Sequence, residues 1–296
     1  AFGFEYELME QFRKFLNKRT TRKQLKTAFV FLPVPFDRLI PYLNEGRGDI
    51  AAAGLTVTAK RAGKIAFSDP YLSGVREVLV AAPATETIRD VDGLSGREVH
   101  LLRGSSYAQH LQDVNRRLQE TGLAPIAIVQ VDENLQTEDL LELANAGIIE
   151  FTFADDHIAR IWGDVLPNLQ VYDDVFINDQ GSIAWAVRKS NPQLLKQLNQ
   201  FVAEHKKGSL LGNILFKRYY KNSPWISNLD QAGERERFKE VAGLFRRYAG
   251  KYGFDWLKIA AQAYQESGLD HGRTSLAGAV GIMQVLRSTA ADKNVG

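Results

Sequence analysis

The sequence predicts an α/β fold over residues 1–224, followed by a mainly α-helical domain over residues 225–296. Two observations carry this prediction. In the first part, short apolar runs typical of strands alternate with amphipathic helices, a pattern that favours parallel α/β sheets. From Leu194 onward the strand pattern disappears and only helical periodicity remains. A Pro- and Ser-containing stretch at residues 223–228 marks the predicted boundary.

The predicted helices share apolar residues at intervals of three and four. They cover residues 4–16, 36–44, 107–121, 137–146, 194–204, 210–220, 234–251 and 256–266. The apolar run at residues 27–32 is expected to form a buried strand.

Composition excludes several classes of function. The 296 residues are too many for one typical domain, and 45% apolar with 24% charged residues describes an ordinary globular protein. A net charge of +2 gives no reason to expect nucleic acid as a partner. Cysteine is absent, which removes disulfides and thiolate metal sites. The five histidines have no zinc-site spacing, so neither a metal nor a cofactor is expected.

The start of the chain bears on its location. No apolar run approaches the length of a membrane span. The first residue is Ala1, and the chain opens inside an amphipathic segment without a signal peptide. We interpret this as a processed form, with membrane contact only through a removed anchor.

Two turns in the α/β region have the chemistry of anion-binding sites. Residues 55–61 read Leu-Thr-Val-Thr-Ala-Lys-Arg, so a strand end rich in hydroxyls precedes Arg61 at the start of a helix. Backbone N–H groups and a guanidinium in this arrangement can bind a carboxylate. Residues 103–107, Arg-Gly-Ser-Ser-Tyr, form a second strand-to-helix turn of this kind.

Residues 55–61, together with Ile-Ala-Phe-Ser-Asp-Pro-Tyr at residues 65–71, resemble a signature of the amino-acid-type solute-binding proteins of the bacterial periplasm. The resemblance implies a two-lobed periplasmic-binding-protein type II fold. Lobe 1 would hold residues 1–82 and 183–224, and lobe 2 residues 83–182. Two crossings, near residues 78–82 and 183–187, would allow hinge closure.

The same resemblance implies roles for single residues. Arg61 would bind the α-carboxylate of the ligand with help from Thr56, and Ser105 and Ser106 would close over that carboxylate. Asp155 would meet the ammonium group. The family's aromatic platform comes from a first strand that precedes this chain, so we expect ligand binding by the chain itself to be impaired.

The residues alone leave other interpretations open. Arg61 could be a surface residue paired with an acid, and the two serines could be plain N-caps. Asp156 is an alternative to Asp155, and either aspartate could cap a helix that begins at His157.

A second constellation lies near the end of the chain. Glu266 closes the predicted helix at residues 256–266, for which Asp255 is the expected N-cap. Glu266 follows Ile259 by seven residues and Ala263 by three, so we expect it on the apolar stripe. A carboxyl held there should stay protonated near neutral pH, as a general acid requires. Asp270 is the nearest second carboxylate.

Glu266-Ser267, followed by Gly-Ile-Met-Gln at residues 281–284, resembles the lytic transglycosylases of the soluble-lytic and goose-lysozyme type. These enzymes cleave peptidoglycan with one carboxylate. The resemblance implies that Glu266 is the catalytic acid and base, that Ser267 orients the substrate, and that Met283 and Gln284 line the cleft. The family's domain extends further than residue 296, so we expect this chain to hold its N-terminal part and to be weakly active or inactive.

The two modules in this order resemble the membrane-bound lytic transglycosylase F family. That resemblance implies a periplasmic lyase, associated with the outer membrane in its full-length form. It would form 1,6-anhydro ends on peptidoglycan glycan strands, regulated by an amino acid, peptide or muropeptide in the α/β domain. The alternatives are a periplasmic binding protein without catalytic activity and, less favoured, a transporter-coupled receptor.

Overall fold

The computed structural model describes residues 3–18, 26–83, 85–221, 232–254, 256–275 and 277–292. Contacts divide the chain into two compact units, Ala1–Ser223 and Pro224–Gly296. The stretch at residues 223–228 and the expected N-cap Asp255 lie outside the described residues.

The first unit alternates helices and strands. Its elements are α1 (Phe4–Asn17), a 3-10 turn (Phe36–Arg38), α2 (Leu39–Asn44), α3 (Ala59–Ala62), β1 (Ala66–Phe67), β2 (Leu72–Ala81), a second 3-10 turn (Val91–Leu94), β3 (Glu98–Leu101), α4 (Ser106–Glu120), β4 (Ala127–Gln130), α5 (Thr137–Asn145), β5 (Phe151–Asp155), α6 (Asp156–Gly163), β6 (Gln170–Ile183), β7 (Ala186–Val187), α7 (Pro192–His205) and α8 (Leu210–Tyr220).

Lobe 1 contains the antiparallel pair β1–β7 and a small aliphatic core. Next to it, an aromatic cluster joins the first helix to the end of the unit. Phe12 of α1 lies 5.3 Å from Phe201 of α7 and 6.1 Å from Trp185, measured between ring centroids. Phe12, Trp185 and Phe201 are almost completely buried. Burial of such large rings fixes α1 against α7.

Lobe 2 has a larger core. The strands β3 and β4 pair in parallel, and β2 lies between β5 and β6 as an antiparallel sheet. The buried side chains of this core are Leu79, Ala81, Ile88, Val91, Leu94, Val99, Leu101, Tyr107, Ala108, Leu111, Leu118, Ile126, Phe151, Phe153 and Val175. The prediction of parallel sheets is confirmed for β3–β4, and it is wrong for β2, which pairs antiparallel with both β5 and β6.

The β2–β6 pair connects the lobes. Its register runs from Leu72↔Ile183 to Ala81↔Gln170, with shifts between Ser73 and Leu79. Leu79 and Ala81, within the expected first crossing at residues 78–82, pack in the core of lobe 2. The register shifts lie just before them in the chain, and such bulges allow paired strands to bend.

The predicted buried strand at residues 27–32 does not form. These residues pair with no strand in the described part of the chain, and Val30 and Leu32 are 82% and 61% exposed. An apolar, β-branched run predicts a strand only where a neighbouring strand completes the ladder.

The second unit is small. Its elements are α9 (Ala232–Tyr252), α10 (Trp256–Ser267), β8 (Ala279–Val280), β9 (Val285–Leu286) and α11 (Arg287–Ala290). Its core consists of Phe245 from α9, Ala260 and Ala263 from α10, and Leu269 just beyond, with Met283 packed against them. Within the described residues of both units, no helix combines the length and apolarity needed to cross a membrane.

Candidate functional sites

The first candidate site is a cavity of about 260 Å³ in the first unit, lined by both lobes. Four of the five predicted ligand residues line it: Thr56 from lobe 1 and Ser105, Ser106 and Asp155 from lobe 2. All four are buried. The fifth predicted residue, Arg61, is not among the lining residues, but it donates a hydrogen bond to the carbonyl of Thr56, which is.

Arg61 joins the two lobes. Its Nη1 donates to the carbonyl of Thr56 at 2.7 Å, and its Nη2 donates to the carbonyl of Gly104 in lobe 2 at 2.9 Å. The side chain is only 8% exposed, and the Thr58 hydroxyl caps its helix. Burial lowers the pKa of Arg61, while the nearby Glu77 opposes this. The interpretation as an exposed residue paired with an acid is therefore wrong.

Ser105 and Ser106 differ in what their hydroxyls do. Ser105 is at the N-cap position of α4, but its side chain makes no capping hydrogen bond, and its buried Oγ has no partner. The Ser106 hydroxyl donates to Oε1 of the fully buried Glu77 at 2.6 Å. Neither hydroxyl is a plain N-cap, which favours a ligand contact for Ser105.

The two aspartates point to different places. Asp155 lines the cavity and receives a hydrogen bond from the Tyr107 hydroxyl at 3.1 Å. Burial raises the pKa of Asp155 to about 6, and the charge of His157 opposes this. Asp156 instead lines a separate depression and pairs with Arg160 at 3.4 Å. The helix begins at Asp156, and Asp155 makes no side-chain cap, so the capping interpretation fails for Asp155.

Sequence reasoning missed most of the remaining lining. The cavity is also bounded by Glu5, Tyr71, Tyr107, Glu138 and Tyr220. Tyr71 ends the recognised motif at residues 65–71 and could have been singled out. Glu5 and Glu138 gave no signal, because each is an ordinary acidic residue in the first turn of an amphipathic helix.

Gly104 offers a test of the contact between the lobes. Its φ is +77°, and an added Cβ would lie 2.8 Å from the Cα of Asp37 in lobe 1. We expect Gly104→Ala to open this contact and to speed hydrogen exchange at residues 36–38 and 102–107 by about tenfold or more. Gly147→Ala is the matched control, because Gly147 has φ +69° and no atom within 4 Å of an added Cβ. Equal hydrogen-exchange rates in the two variants would show that the close approach of Gly104 to Asp37 does not hold the lobes together.

The second candidate site is in the second unit. Glu266 is exposed, and no hydrogen bond or ion pair joins its carboxylate to the described residues. The expectation that Glu266 shares the apolar stripe of α10 is therefore wrong. The stripe runs through Ala260, Ala263 and Ser267, which are all buried, and Glu266 lies one residue to the side. Glu266 follows Ile259 by seven residues and Ala263 by three. Ser267 follows Ala260 by seven residues and Ala263 by four, and both alanines are buried, so Ser267 lies on the buried face of the helix.

Ser267 connects α10 to the following turn. Its hydroxyl lies 3.0 Å from the carbonyl oxygen of Ala263 and 2.9 Å from that of Ile282. Met283 packs into the core, and Gln284 donates from Nε2 to the carbonyls of Arg273 and Gly281. Gly281 and Gln284 have φ of +77° and +46°, which gives the turn its tight shape. Ser267, the neighbour of Glu266, thus fixes the position of the segment with Met283 and Gln284, the residues predicted to line the cleft.

The fold and the cavity define the first unit as a two-lobed binding protein of type II. The chain belongs to the bacterial extracellular solute-binding proteins, family 3, whose family model matches residues 2–221. The model of the transglycosylase SLT domain matches residues 243–295.

Similar proteins combine both parts. Membrane-bound lytic murein transglycosylase F of Desulfosudis oleivorans (strain DSM 6200 / JCM 39069 / Hxd3) is 33% identical over 297 residues, which cover 99% of this chain and 61% of that relative. The protein of the same name from Pseudomonas putida (strain GB-1) is 29% identical, over 97% of this chain and 57% of the relative. The chain therefore spans about six-tenths of the length of the curated relatives it matches.

Solved structures agree with the fold of the first unit. An ancestral arginine-binding protein bound to arginine superposes with a TM-score of 0.59 at 23% identity, over 74% of this chain and 88% of that one. The substrate binding protein of an amino acid ABC transporter gives a TM-score of 0.60 at 23% identity, with the same coverage. At this level of identity, the likeness concerns the fold alone.

Proposed function

We propose that the protein is a peptidoglycan lytic transglycosylase whose solute-binding domain senses a small ligand and regulates cleavage. The observation that carries the proposal is the match of the transglycosylase SLT domain to residues 243–295, which include Glu266, Ser267, Met283 and Gln284. The names of the similar proteins, which match along nearly all of this chain, support the same activity.

In the proposed reaction Glu266 acts first as an acid and then as a base. It protonates the oxygen between N-acetylmuramic acid and N-acetylglucosamine, and the bond from C1 to that oxygen breaks. The 2-acetamido group of the substrate stabilises the developing positive charge. The Glu266 carboxylate then removes the proton from the muramyl 6-hydroxyl, whose oxygen bonds to C1 and forms a 1,6-anhydro end. No water is consumed.

Glu266 is exposed in the described residues. We propose that a bound glycan strand contributes to the exclusion of water from its carboxyl. The bond between Ser267 and the carbonyl of Ile282 would keep Met283 and Gln284 at a fixed distance from Glu266. Ser267 then orients the substrate indirectly, through the turn.

The location and the ligand belong to the same proposal. We place the protein in the periplasm, associated with the outer membrane, in agreement with the extracellular family and the membrane-bound relatives. The proposed ligand of the cavity is an amino acid, a peptide or a muropeptide. Regulation requires that this ligand favour one arrangement of the protein over another by a real free-energy difference.

Digestion of purified sacculi by the full-length protein tests the proposal. We expect mass spectrometry to find muropeptides with 1,6-anhydro ends, because the 6-hydroxyl replaces water as the nucleophile. Products with ordinary reducing ends would indicate a hydrolase instead. A complete lack of release, with and without amino acids, would leave the protein as a binding protein only.

A further inference from the structure

Left-handed backbone outside glycine is confined to one loop of the second unit. Among the described residues, only two non-glycine residues have a positive φ, Leu269 with 61° and Gln284 with 46°. This conformation is uncommon outside glycine, and it costs free energy for a bulky residue. The two residues lie near the ends of residues 268–284, here called the site loop. Strain of this kind persists only where the surrounding structure holds it, and it often accompanies a functional geometry.

Leu269 turns the chain more sharply than the end of a helix requires. Helix α10 ends at Ser267, and Gly268 follows with a φ of +65°. The N–H of Gly268 donates to the carbonyl of Tyr264 at 2.7 Å, so the glycine already caps the helix in a common way. A second left-handed residue adds nothing to that cap. The conformation of Leu269 therefore needs another explanation.

The side chain of Leu269 holds this backbone in place. It is 4% exposed and belongs to the core of the second unit, together with Phe245 from α9. Ile282 and Met283, near the far end of the site loop, pack against the same core. Burial of the leucine side chain stabilises the turn and offsets the cost of its backbone. Glycine would adopt this φ without that cost, but it would leave the core unfilled.

Hydrogen bonds close the far end of the site loop. The side chain of Gln284 donates from Nε2 to the carbonyls of Arg273 and Gly281 at 3.0 and 2.8 Å. The N–H of Gly281 donates to the same Arg273 carbonyl at 3.0 Å. The Ser267 hydroxyl lies 2.9 Å from the carbonyl oxygen of Ile282 and joins this end to α10. The site loop therefore leaves the end of α10 and returns to it along a fixed path.

We propose that Leu269 is a positioning residue for the lyase reaction. Its buried side chain fixes the left-handed turn, and the turn sets the path of the site loop. That path sets the distance between Glu266, just before the turn, and Gln284 at the far end. Leu269 acts through Glu266, because its own side chain is buried in the core. The inference rests on the proposed function and adds a residue that no motif in the sequence indicates.

The position of Glu266 decides which nucleophile reaches C1. In the proposed reaction the muramyl 6-hydroxyl bonds to C1 after the glycosidic bond breaks, and Glu266 takes its proton. With Glu266 out of place, the oxygen of a water molecule bonds to C1 instead and gives its proton to the same carboxylate. The product then has an ordinary reducing end. The share of reducing ends thus reports the geometry of the site, whatever the amount of folded protein.

Two substitutions that each remove one methylene from the same core test the inference in the full-length protein. Leu269→Val also places a β-branched residue at a left-handed φ, which such residues strongly disfavour. Ile259→Val is the matched control, because Ile259 packs against this core from within α10. We expect Leu269→Val to slow the release of 1,6-anhydro muropeptides from sacculi by about tenfold or more and to raise the share of reducing ends. Ile259→Val and the unbranched Leu269→Met should keep the wild-type share.

The outcomes separate this inference from the proposed function. A wild-type product share in Leu269→Val overturns the inference even where release is slower, because less folded protein slows both products alike. An equal rise of reducing ends in Ile259→Val or Leu269→Met also overturns it, since any change in packing would then have the same effect. These results leave the proposed function intact. A wild-type protein that releases no 1,6-anhydro ends overturns the proposed function, and the inference falls with it.

Discussion

Replacing Glu266 by glutamine in the full-length protein is expected to reduce the release of 1,6-anhydro muropeptides by about 10²–10⁴-fold. The amide can neither protonate the glycosidic oxygen nor accept the proton of the 6-hydroxyl, so both halves of the proposed reaction stop. Because Glu266 is exposed and its carboxylate makes no hydrogen bond or ion pair with the described residues, the substitution should leave the fold unchanged. Initial rates of product release from sacculi, followed by mass spectrometry, measure the effect.

Asp270→Asn provides the matched control. Asp270 is the nearest other carboxylate in sequence, and its Oδ1 accepts a hydrogen bond from the backbone of Gly272 at 2.8 Å. An asparagine side chain can accept the same bond, so we expect nearly full activity. A loss as large as that of Glu266→Gln would contradict a single-carboxylate lyase and would indicate the paired carboxylates of ordinary glycosidases.

Removing the carboxylate of Glu77 is expected to have the largest effect on stability. Glu77 is completely buried on β2, where Ser106 donates to one oxygen and His110 Nδ1 lies 2.5 Å from the other. Glu77→Ala breaks this buried pair and leaves both partners unsatisfied. The expected loss in the free energy of unfolding is about 3–5 kcal/mol. Native-state hydrogen exchange at the amides of β2 measures it.

The pH dependence of this loss follows from His110. The hydrogen bond to Glu77 raises the pKa of His110 above its ordinary value, although burial opposes this. The stabilisation is therefore complete at about pH 5.5, below the unfolded value of ~6.5, and falls as the pH rises through the folded value. Glu77→Gln should remove this dependence. Glu45→Ala, which breaks only an exposed pair with Arg47, should change stability by less than about 1 kcal/mol.

Local periodicity was sufficient to locate most helices. The predicted segment at residues 210–220 coincides with α8, and the segment at residues 137–146 differs from α5 by one residue. In both, an apolar face repeats every three or four residues and packs on a neighbouring element. The spacing therefore records the same burial that stabilises the helix.

Local periodicity could not predict which single side chains are buried. At the end of α10, Glu266 and Ser267 are neighbours, and both fit the apolar spacing of the helix within one residue. Only the position of the turn at Ile282 decides that Ser267 faces inward. At residues 27–32 the composition indicates a strand, but strand formation also depends on a partner that the local sequence does not contain.

The candidate ligand residues were predictable only where a motif carried them. A family signature indicates Thr56, Ser105, Ser106 and Asp155, and all four line the cavity. Glu138 is brought to the same space by the packing of α5, which no local pattern reveals. The charge of the cavity is thus a property of the tertiary fold.

The double contact of Arg61 has a consequence for the coupling of ligand and lobes. Two of the five N–H donors of the guanidinium are used by carbonyls, one from each lobe. Three donors remain, so a carboxylate bound to Arg61, as proposed from the sequence, would leave the link to Gly104 in place. Such a ligand would add to the contact between the lobes without replacing it.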